Sequence, residues 1–340
     1  METVNDNKEV VYYYLETMIT RMGHTLILTG FHHLSTCYTI IANILMVRQE
    51  LHFQPMKNHD TSADKMVLAA AAWLDVHYAA CAPEYEEMLR LVGLQPGWHV
   101  LDAGCGGGSY LPLLAQSIGS AGSIAAIDLN TENIAILQER LSTWHLPCPT
   151  SLEAGNLLAL PYPDNSFDAL WSANVTQYFS KVEFPWVLQE FRRVVRPGGL
   201  VAVKDVDMQL MRVYPADPFL FSHLSEKSVR GSNATAQSWG SLRGRELRRW
   251  LERAGMEKVW QRTFMIERWA PLKAVERQLF GEWFSYLAGL AEERGVPEED
   301  LATWHRLGNP DAADYLVDSP DFYACEGQVV AVGQVPGPSA

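Results

Sequence analysis

The nine residues Val100-Leu101-Asp102-Ala103-Gly104-Cys105-Gly106-Gly107-Gly108 run from an apolar strand end into a glycine-rich turn. Glycines at such a turn let the backbone approach a ligand closely and leave helix N–H groups pointing at it. Alone this says little, because the same kind of turn serves nicotinamide and flavin binders. Asp128, twenty residues past Gly108 at the end of the next apolar run, adds a carboxylate that can accept both hydroxyls of a ribose. The two features together point to an adenosine compound. Asp102 narrows the choice: two residues before the first glycine it would repel a pyrophosphate, whereas it suits an ammonium or sulfonium group. Ser109 stands where a dinucleotide site wants its third glycine.

Outward from this turn, short apolar runs alternate with helical periods. Residues 98–103, 123–129, 151–154, 167–173 and 200–206 read as buried strands, and 110–118, 131–144 and 185–195 as helices. Alternation of this kind gives a parallel sheet covered on both faces. Upstream, 63–81 reads as a helix, and a second enters at Pro83, a residue suited to a first helical position, and ends near Gly93. Downstream come a loop over 214–232, a helix over 243–254, a strand over 258–269, helices over 272–294 and 298–307, and a strand or strand pair over 322–335.

Composition sets the outer bounds. At 340 residues and 48% hydrophobic, the chain fits a single enlarged α/β domain. Forty acidic residues against 27 basic ones leave a net charge of -13, which repels a phosphate backbone, so no nucleic-acid partner is expected. Cys37, Cys81, Cys105, Cys148 and Cys325 are odd in number and never spaced Cys-x-x-Cys, which argues against a disulfide framework or a structural zinc site and fits a reducing cytoplasm. Residues 22–47 hold no Asp, Glu, Lys or Arg and are long enough to cross a bilayer, but His24, His32, His33, Ser35 and Asn43 tell against a membrane span. The expectation is an extension over 1–61, either packed on the body of the protein or not part of the folded domain, with ordinary composition starting near Met56 or Met66, and an unstructured tail over 336–340.

Beyond the turn, the order continues with Gly155-Asn156-Leu157, then Leu160-Pro161-Tyr162-Pro163-Asp164-Asn165-Ser166-Phe167-Asp168, then Arg196-Pro197-Gly198-Gly199 before a strand. Over residues 84–207 this closely resembles the class I S-adenosylmethionine-dependent methyltransferases. The resemblance implies a Rossmann-like α/β fold with seven strands, mostly parallel with the last antiparallel, helices on both faces and S-adenosyl-L-methionine as cofactor. It implies that Gly104 and Gly106 pass under the methionine half, that Asp102 orients its amino group and that Asp128 holds the ribose. Leu129 and Leu157 would sandwich the adenine, Asn156 would accept from its amine, and Asn174 would contact the amino-acid moiety. Many relatives have Asp where Asn156 stands, but an amide oxygen still accepts that bond.

A sulfonium methyl is intrinsically reactive, so the protein's main task is to align a nucleophile in a dry site. Beyond the carboxyl ends of the strands, Asn174, Gln177, Tyr178, Asp205 and Asp207 are placed to face it. Tyr178, Asp205 and Asp207 are the candidate catalytic residues, although the two aspartates equally read as solvated strand-end residues. A metal site built from Asn174, Asp205 and Asp207 lacks a further acidic partner, and no metal is expected. His77, Tyr78 and His223 are further side chains that could reach a substrate. Residues 271–320 read as a helical cap within a methyltransferase domain over 62–335. Its Phe280, Trp283, Phe284, Tyr286 and Trp304 suggest an organic acceptor with apolar surface, bound by a monomer or homodimer.

Within the family the chain resembles the small-molecule branch that includes quinone-ring C-methyltransferases, but Lys204-Asp205-Val206-Asp207 replaces the Glu-Phe ending of the fifth strand there. Asn174-Val175-Thr176-Gln177 likewise departs from the Asn-Pro-Pro-Tyr signature of base and amide N-methylation. Two other classes stay open: an inert methyltransferase-like scaffold, which would not need Asp128 beside the glycines, and a nicotinamide oxidoreductase, which Asp102 disfavours.

Overall fold

The structure, a computed structural model, describes residues 70–337. The expected extension 1–61, with its uncharged run 22–47, and the last three residues of the tail lie outside the described residues. In chain order the elements are α1 (Ala71–Val92), β1 (His99–Ala103), α2 (Leu111–Ile118), β2 (Ser123–Asp128), α3 (Thr131–Thr143), β3 (Thr150–Ala154) and β4 (Phe167–Ala173). They continue with α4 (Glu183–Val194), β5 (Val195–Val206), β6 (Arg212–Tyr214), α5 (Leu220–Arg230), α6 (Ala236–Gly240) and α7 (Leu247–Arg253). The last are β7 (Glu257–Trp269), α8 (Ala274–Arg294), α9 (Glu298–Gly308) and β8 (Tyr323–Gln334). No described helix is long and apolar enough to cross a membrane.

Strand alternation builds two cores from one sheet. Val100, Ala126, Trp171, Ala202 and Val330 pack into one cluster with Leu111, Leu114 and Ile118 of α2 and Tyr85, Met88 and Leu89 of α1. Leu101, Ile127, Leu170, Val203 and Ala331 pack into the other with Phe184, Leu188 and Phe191 of α4 and Leu247 and Leu251 of α7. Both sheet faces are therefore covered, as near-continuous apolar runs require.

The sheet order is β3-β2-β1-β4-β5-β8-β6, with β7 on β8. Strands β1 to β5 pair in parallel, and β8 runs antiparallel to β5, β6 and β7. The expected mostly parallel sheet with an antiparallel last strand is present, with an eighth strand, β6, whose three residues are too few to announce an alternation. The connection order reverses between β1 and β4, which opens a crevice at their carboxyl ends.

Two expectations are corrected. The two N-terminal helices are one, α1, with Pro83 inside it. Pro83 cannot donate to the Ala79 carbonyl, but burial of Ala80, Cys81, Tyr85, Met88 and Leu89 on both sides outweighs the cost of about 3 kcal/mol. The segment read as a loop over 214–232 contains α5, whose apolar Leu220, Phe221 and Leu224 span too short a run to establish a period. These three join Phe280, Phe284 and Leu287 of α8 and Trp304 and Leu307 of α9 in a third apolar cluster, away from the two main ones.

Trp171, on the central strand β4, is completely buried. Trp171→Ala should therefore cost about 3–5 kcal/mol of folding stability, read from the denaturant midpoint at unchanged slope. A loss under about 1 kcal/mol would contradict its place in the core.

Candidate functional site

The glycine turn sits at the carboxyl end of β1 and is held from below by β2. Gly104 and Cys105 donate their N–H groups to the Ile127 carbonyl at 2.8 and 3.0 Å. Gly104 has φ 83° and Gly106 φ 52°, conformations that side chains resist. A Cβ at Gly104 would lie 2.3 Å from Val175, and one at Gly106 2.5 Å from Leu74 of α1. A side chain at either position would strain the backbone and press on its neighbour. Asp128 ties the end of β2 to this turn: Oδ2 accepts from the Gly106 N–H and Oδ1 from the Asn130 N–H, each at 2.8 Å. Helix α1 is fastened to the turn as well, since Asp75 accepts from Ser109 Oγ at 3.0 Å and pairs with Arg140, which donates to the Gly107 carbonyl at 2.7 Å.

Asp102 lies beneath the turn, 2% exposed, and its Oδ2 has no partner among the described residues. Burial, reinforced by the Asp128 charge, pushes its carboxyl up to about 8. A buried carboxyl with an idle oxygen beside an acidic neighbour suits a cation or a hydroxyl donor and repels phosphate.

The remaining cofactor candidates ring the neighbouring strand ends. Leu129 follows β2 and is exposed, whereas Leu157, after β3, is buried. Asn156 Oδ1 already accepts from the Leu158 N–H at 2.9 Å and keeps a second lone pair. Asn174 follows β4 with φ 58°, and its Oδ1 accepts from Lys204 Nζ at 3.0 Å.

A cavity opens beside Asn174. Its walls are Trp73, Leu74 and His77 of α1, Gln177 and Tyr178 beyond β4, Val206 and Met208 around the end of β5, and Glu326 of β8. Leu224 and Ser228 of α5, with Trp283, Tyr286, Leu287, Leu290 and Arg294 of α8, close the far side. Of the expected catalytic residues, Tyr178 lines this cavity, and burial raises its phenol above the ordinary range. Asp205 and Asp207 are not among its walls. Asp205 is fully buried and accepts from Thr176 Oγ1; burial lifts its carboxyl to about 6 against the pull of Thr176 and Arg243. Asp207 accepts from the Gln209 and Arg245 N–H groups, both at 3.1 Å, and so caps the turn over Met208–Leu210. The chain returning at Ser241 and Arg245 supplies part of this cover, a tertiary contact that strand spacing does not reveal. His77 reaches the cavity, Tyr78 instead packs on Tyr85 and Tyr110, and His223 pairs with Asp300 at 2.7 Å.

Sequence reasoning missed Glu326, Lys204 and Tyr85. Glu326 accepts from or faces His77 Nε2 at 3.0 Å, Tyr85 hydroxyl lies 2.9 Å from the same nitrogen, and Gln328 donates to Glu326 and to Tyr85. Lys204 is fully buried with its ammonium 3.6 Å from the Tyr85 ring centre, and burial lowers it to about 7. A signal was present: Glu326 is the one charged residue in the strand Tyr-Ala-Cys-Glu-Gly-Gln-Val-Val-Ala-Val-Gly-Gln.

Comparison with known proteins finds methyltransferases. A family model described as a methyltransferase domain matches residues 100–199. A demethylmenaquinone methyltransferase of Bacillus cereus is 27% identical over 192 residues, covering 53% of this chain and 78% of the relative. Among solved structures, a SAM-dependent methyltransferase from Aquifex aeolicus is 26% identical with a TM-score of 0.38, covering 52% of this chain and 81% of the other. Phosphoethanolamine N-methyltransferase 2 of Haemonchus contortus, solved with S-adenosyl-L-methionine, is 13% identical with a TM-score of 0.49, covering 84% and 61%.

Asp102 generates a pH-dependent prediction. Its folded carboxyl titrates near 8 against 3.8 unperturbed, so between these values the folded chain holds the extra proton and stability falls as pH rises. Asp102→Asn should remove that slope and gain on wild type by up to about 1.4 kcal/mol per pH unit across the window. Denaturant melts at about pH 5 and about pH 8 measure it, and a gap that does not widen would place an ionised Asp102 in the folded protein throughout.

Proposed function

Proceeding from a chain that belongs to the class I S-adenosylmethionine-dependent methyltransferases, we propose that it transfers a methyl group to a small organic acceptor held in the cavity beside Asn174. The supporting observation is that cavity itself, which adjoins the last of the candidate cofactor residues and sets aromatic and aliphatic walls against a polar side made of Gln177, Ser225, Thr235, Gln237, Ser238 and Ser241. S-adenosyl-L-methionine is the cofactor, and it supplies an electrophilic methyl group on a sulfonium sulfur.

The residues present fit that group. The idle Oδ2 of Asp102 is matched by the ammonium of an amino acid, and its carboxyl would ionise as that cation arrives. Gly104 and Gly106 keep the turn free of side chains, Asp128 takes the ribose hydroxyls, and Leu129 and Leu157 flank the adenine. Asn156 offers its second lone pair to the adenine amine. Asn174, oriented by Lys204, meets the methionine end. Tyr178 faces the reacting groups, while Asp205 and Asp207 act on their surroundings by holding Thr176 and the turn over Met208–Leu210. Residues 62–335 form the methyltransferase domain and 271–320 its cap, in which Trp283 and Tyr286 shape the acceptor's end of the cavity. The acidic balance of the chain disfavours nucleic-acid partners, and its scattered cysteines fit a cytoplasmic enzyme that works as a monomer or homodimer.

Calorimetric titration with S-adenosylhomocysteine and with NAD tests the reading, which expects binding of the first alone. Asp128→Ala should weaken S-adenosylhomocysteine binding by about 2 to 3 kcal/mol, the loss of two hydrogen bonds to a charged acceptor. An unchanged dissociation constant would remove the ribose assignment. Trp283→Ala and Tyr286→Ala should change which acceptors are methylated in a mass-detected screen and leave cofactor affinity within about twofold, a shift of under 0.5 kcal/mol. Collapse of cofactor affinity with unchanged acceptor preference would sink the cap.

A further inference from the structure

Helix α1 carries Trp73, His77, Cys81 and Tyr85 at four-residue intervals, so they share one face, and β8 sets Glu326 against it. The Glu326 carboxylate faces His77 Nε2 with both oxygens, at 3.0 and 3.2 Å. Burial alone would raise Glu326, but His77, Lys204 and Gln328 together bring it down to about 2. Nε2 is thus committed to Glu326 and to the Tyr85 hydroxyl. The other ring nitrogen, Nδ1, has no hydrogen-bond partner among the described residues, although His77 is 8% exposed and is one of the cavity walls. A purely structural hydrogen bond would be sealed on all sides; this one belongs to a wall of the acceptor cavity and leaves one ring nitrogen unspent.

We propose that His77, oriented through Nε2 by Glu326, is the general base that takes a proton from the acceptor at Nδ1, and that the acceptor is a hydroxyl compound of the phenol or enol class. The proposal rests on the reading that the acceptor occupies this cavity. With Nε2–H donating to Glu326, the lone pair of the ring lies on Nδ1. As the acceptor oxygen forms its bond to the methyl carbon, the O–H bond breaks and the proton passes to Nδ1. The C–S bond breaks in the same event and its electron pair stays on sulfur, leaving a neutral thioether and a neutral methyl ether. The positive charge that began on sulfur ends on the imidazole, which faces Glu326, and it is discharged to water as the proton departs.

The groups around the ring favour this charge flow. Glu326 of β8 is the anion nearest to it, and Lys204 of β5 balances that anion from behind, above the Tyr85 ring. Cys81 and Tyr85 of α1 are both raised by burial, first, and by Glu326, so they stay neutral and do not compete for the proton. Asn174, which holds Lys204 through Oδ1, links this cluster to the candidate cofactor residues.

The test uses the full chain loaded with S-adenosylhomocysteine and titrated with 4-nitrophenol, whose phenolate absorbs visible light. Wild type should bind the probe as phenolate at a pH where the free probe is mainly neutral. His77→Ala should bind S-adenosylhomocysteine normally and hold the probe as the neutral phenol. Glu326→Gln, which keeps an acceptor for Nε2 but removes the charge, should fall between them. With S-adenosyl-L-methionine, His77→Ala should lower kcat for 4-nitroanisole formation by about 10² to 10⁴, the usual contribution of a general base. KM for the cofactor should stay unchanged, and added imidazole should restore part of the rate. A His77→Ala protein with a wild-type phenolate band overturns the base, as does a wild type that binds S-adenosylhomocysteine but leaves the probe unbound or neutral. Activity lost to a chelator and recovered with zinc would also overturn it, since His77, Cys81 and Glu326 bring three donor atoms within 4.8 Å of one another. A wild type that fails to bind S-adenosylhomocysteine overturns the methyltransferase reading and this proposal with it, whereas the outcomes above, read with the cofactor bound, overturn the base alone.

Discussion

Strand β8 must satisfy hydrogen bonds on both of its edges while its side chains are buried along nearly its whole length, and much of the molecule follows from how it does so. One edge takes β5 over Val206 to Leu200 and then β6, and the other takes β7 from Glu257 to Trp269. These pairings fix where the chain after β5 can go. They bring the segment between β7 and β8 back over the carboxyl ends of the parallel strands, because β7 ends and β8 begins at that side. They also carry Glu326 to the side of α1 on which His77 stands, so the register of a single strand decides whether the two meet. A slip of one residue would turn Glu326 to the opposite face of the sheet, away from His77.

Ionisable groups are buried here in unusual density for so apolar a region. Asp102, Lys204, Asp205 and Glu326 are all less than 5% exposed. Burial disfavours their charged forms, and the pull on each depends on what stands next to it. Asp102 has an acidic neighbour and is driven up, Asp205 is partly restrained by Thr176 and Arg243, and Lys204 is driven down although Glu326 resists. Glu326 alone is held firmly ionised, because His77, Lys204 and Gln328 converge on it. Perturbed groups of this kind gather at functional sites, where stability is traded for readiness to bind or exchange charge. All four lie toward the same end of the sheet, close to the turn at Gly104 and Gly106 or to the cavity, and the apolar clusters of the two sheet faces offset their cost.

Helix α1 joins the two halves of the site. Leu74 rests on Gly106, Asp75 is fastened to Ser109 and Arg140, and one turn later His77 enters the cavity. A side chain at Gly106 would push against the tip of Leu74, so the glycine bears on the packing of α1 as well as on the openness of the turn. Helix α8 approaches from the opposite side through Trp283 and Tyr286. A methyl acceptor enclosed between them would be shielded from water, which is the condition under which aligned nucleophiles react fastest.

Much of this was legible in the sequence. The glycine turn, Asp128, Asn156 and Asn174 occupy strand ends that short apolar runs announce, and the alternation of periods two and 3.6 is a local property of the chain. The parallel pairing of β1 to β5 and the covering of both faces follow from that alternation, whereas the order in which those strands pair does not. Pairings between distant segments were not legible: Glu326 stands 249 positions from His77, and the turn that covers Asp207 comes from Arg245. Periodicity reports which face a residue takes, but not what it meets there. Pro83 shows the same limit in reverse, since its local preference for a helix start gave way to packing on either side. The sequence by itself therefore determined the sheet, the glycine turn and the family they carry. Only the tertiary structure decided which buried charges share a wall of the cavity, because that depends on strand register and helix docking, which no local pattern encodes.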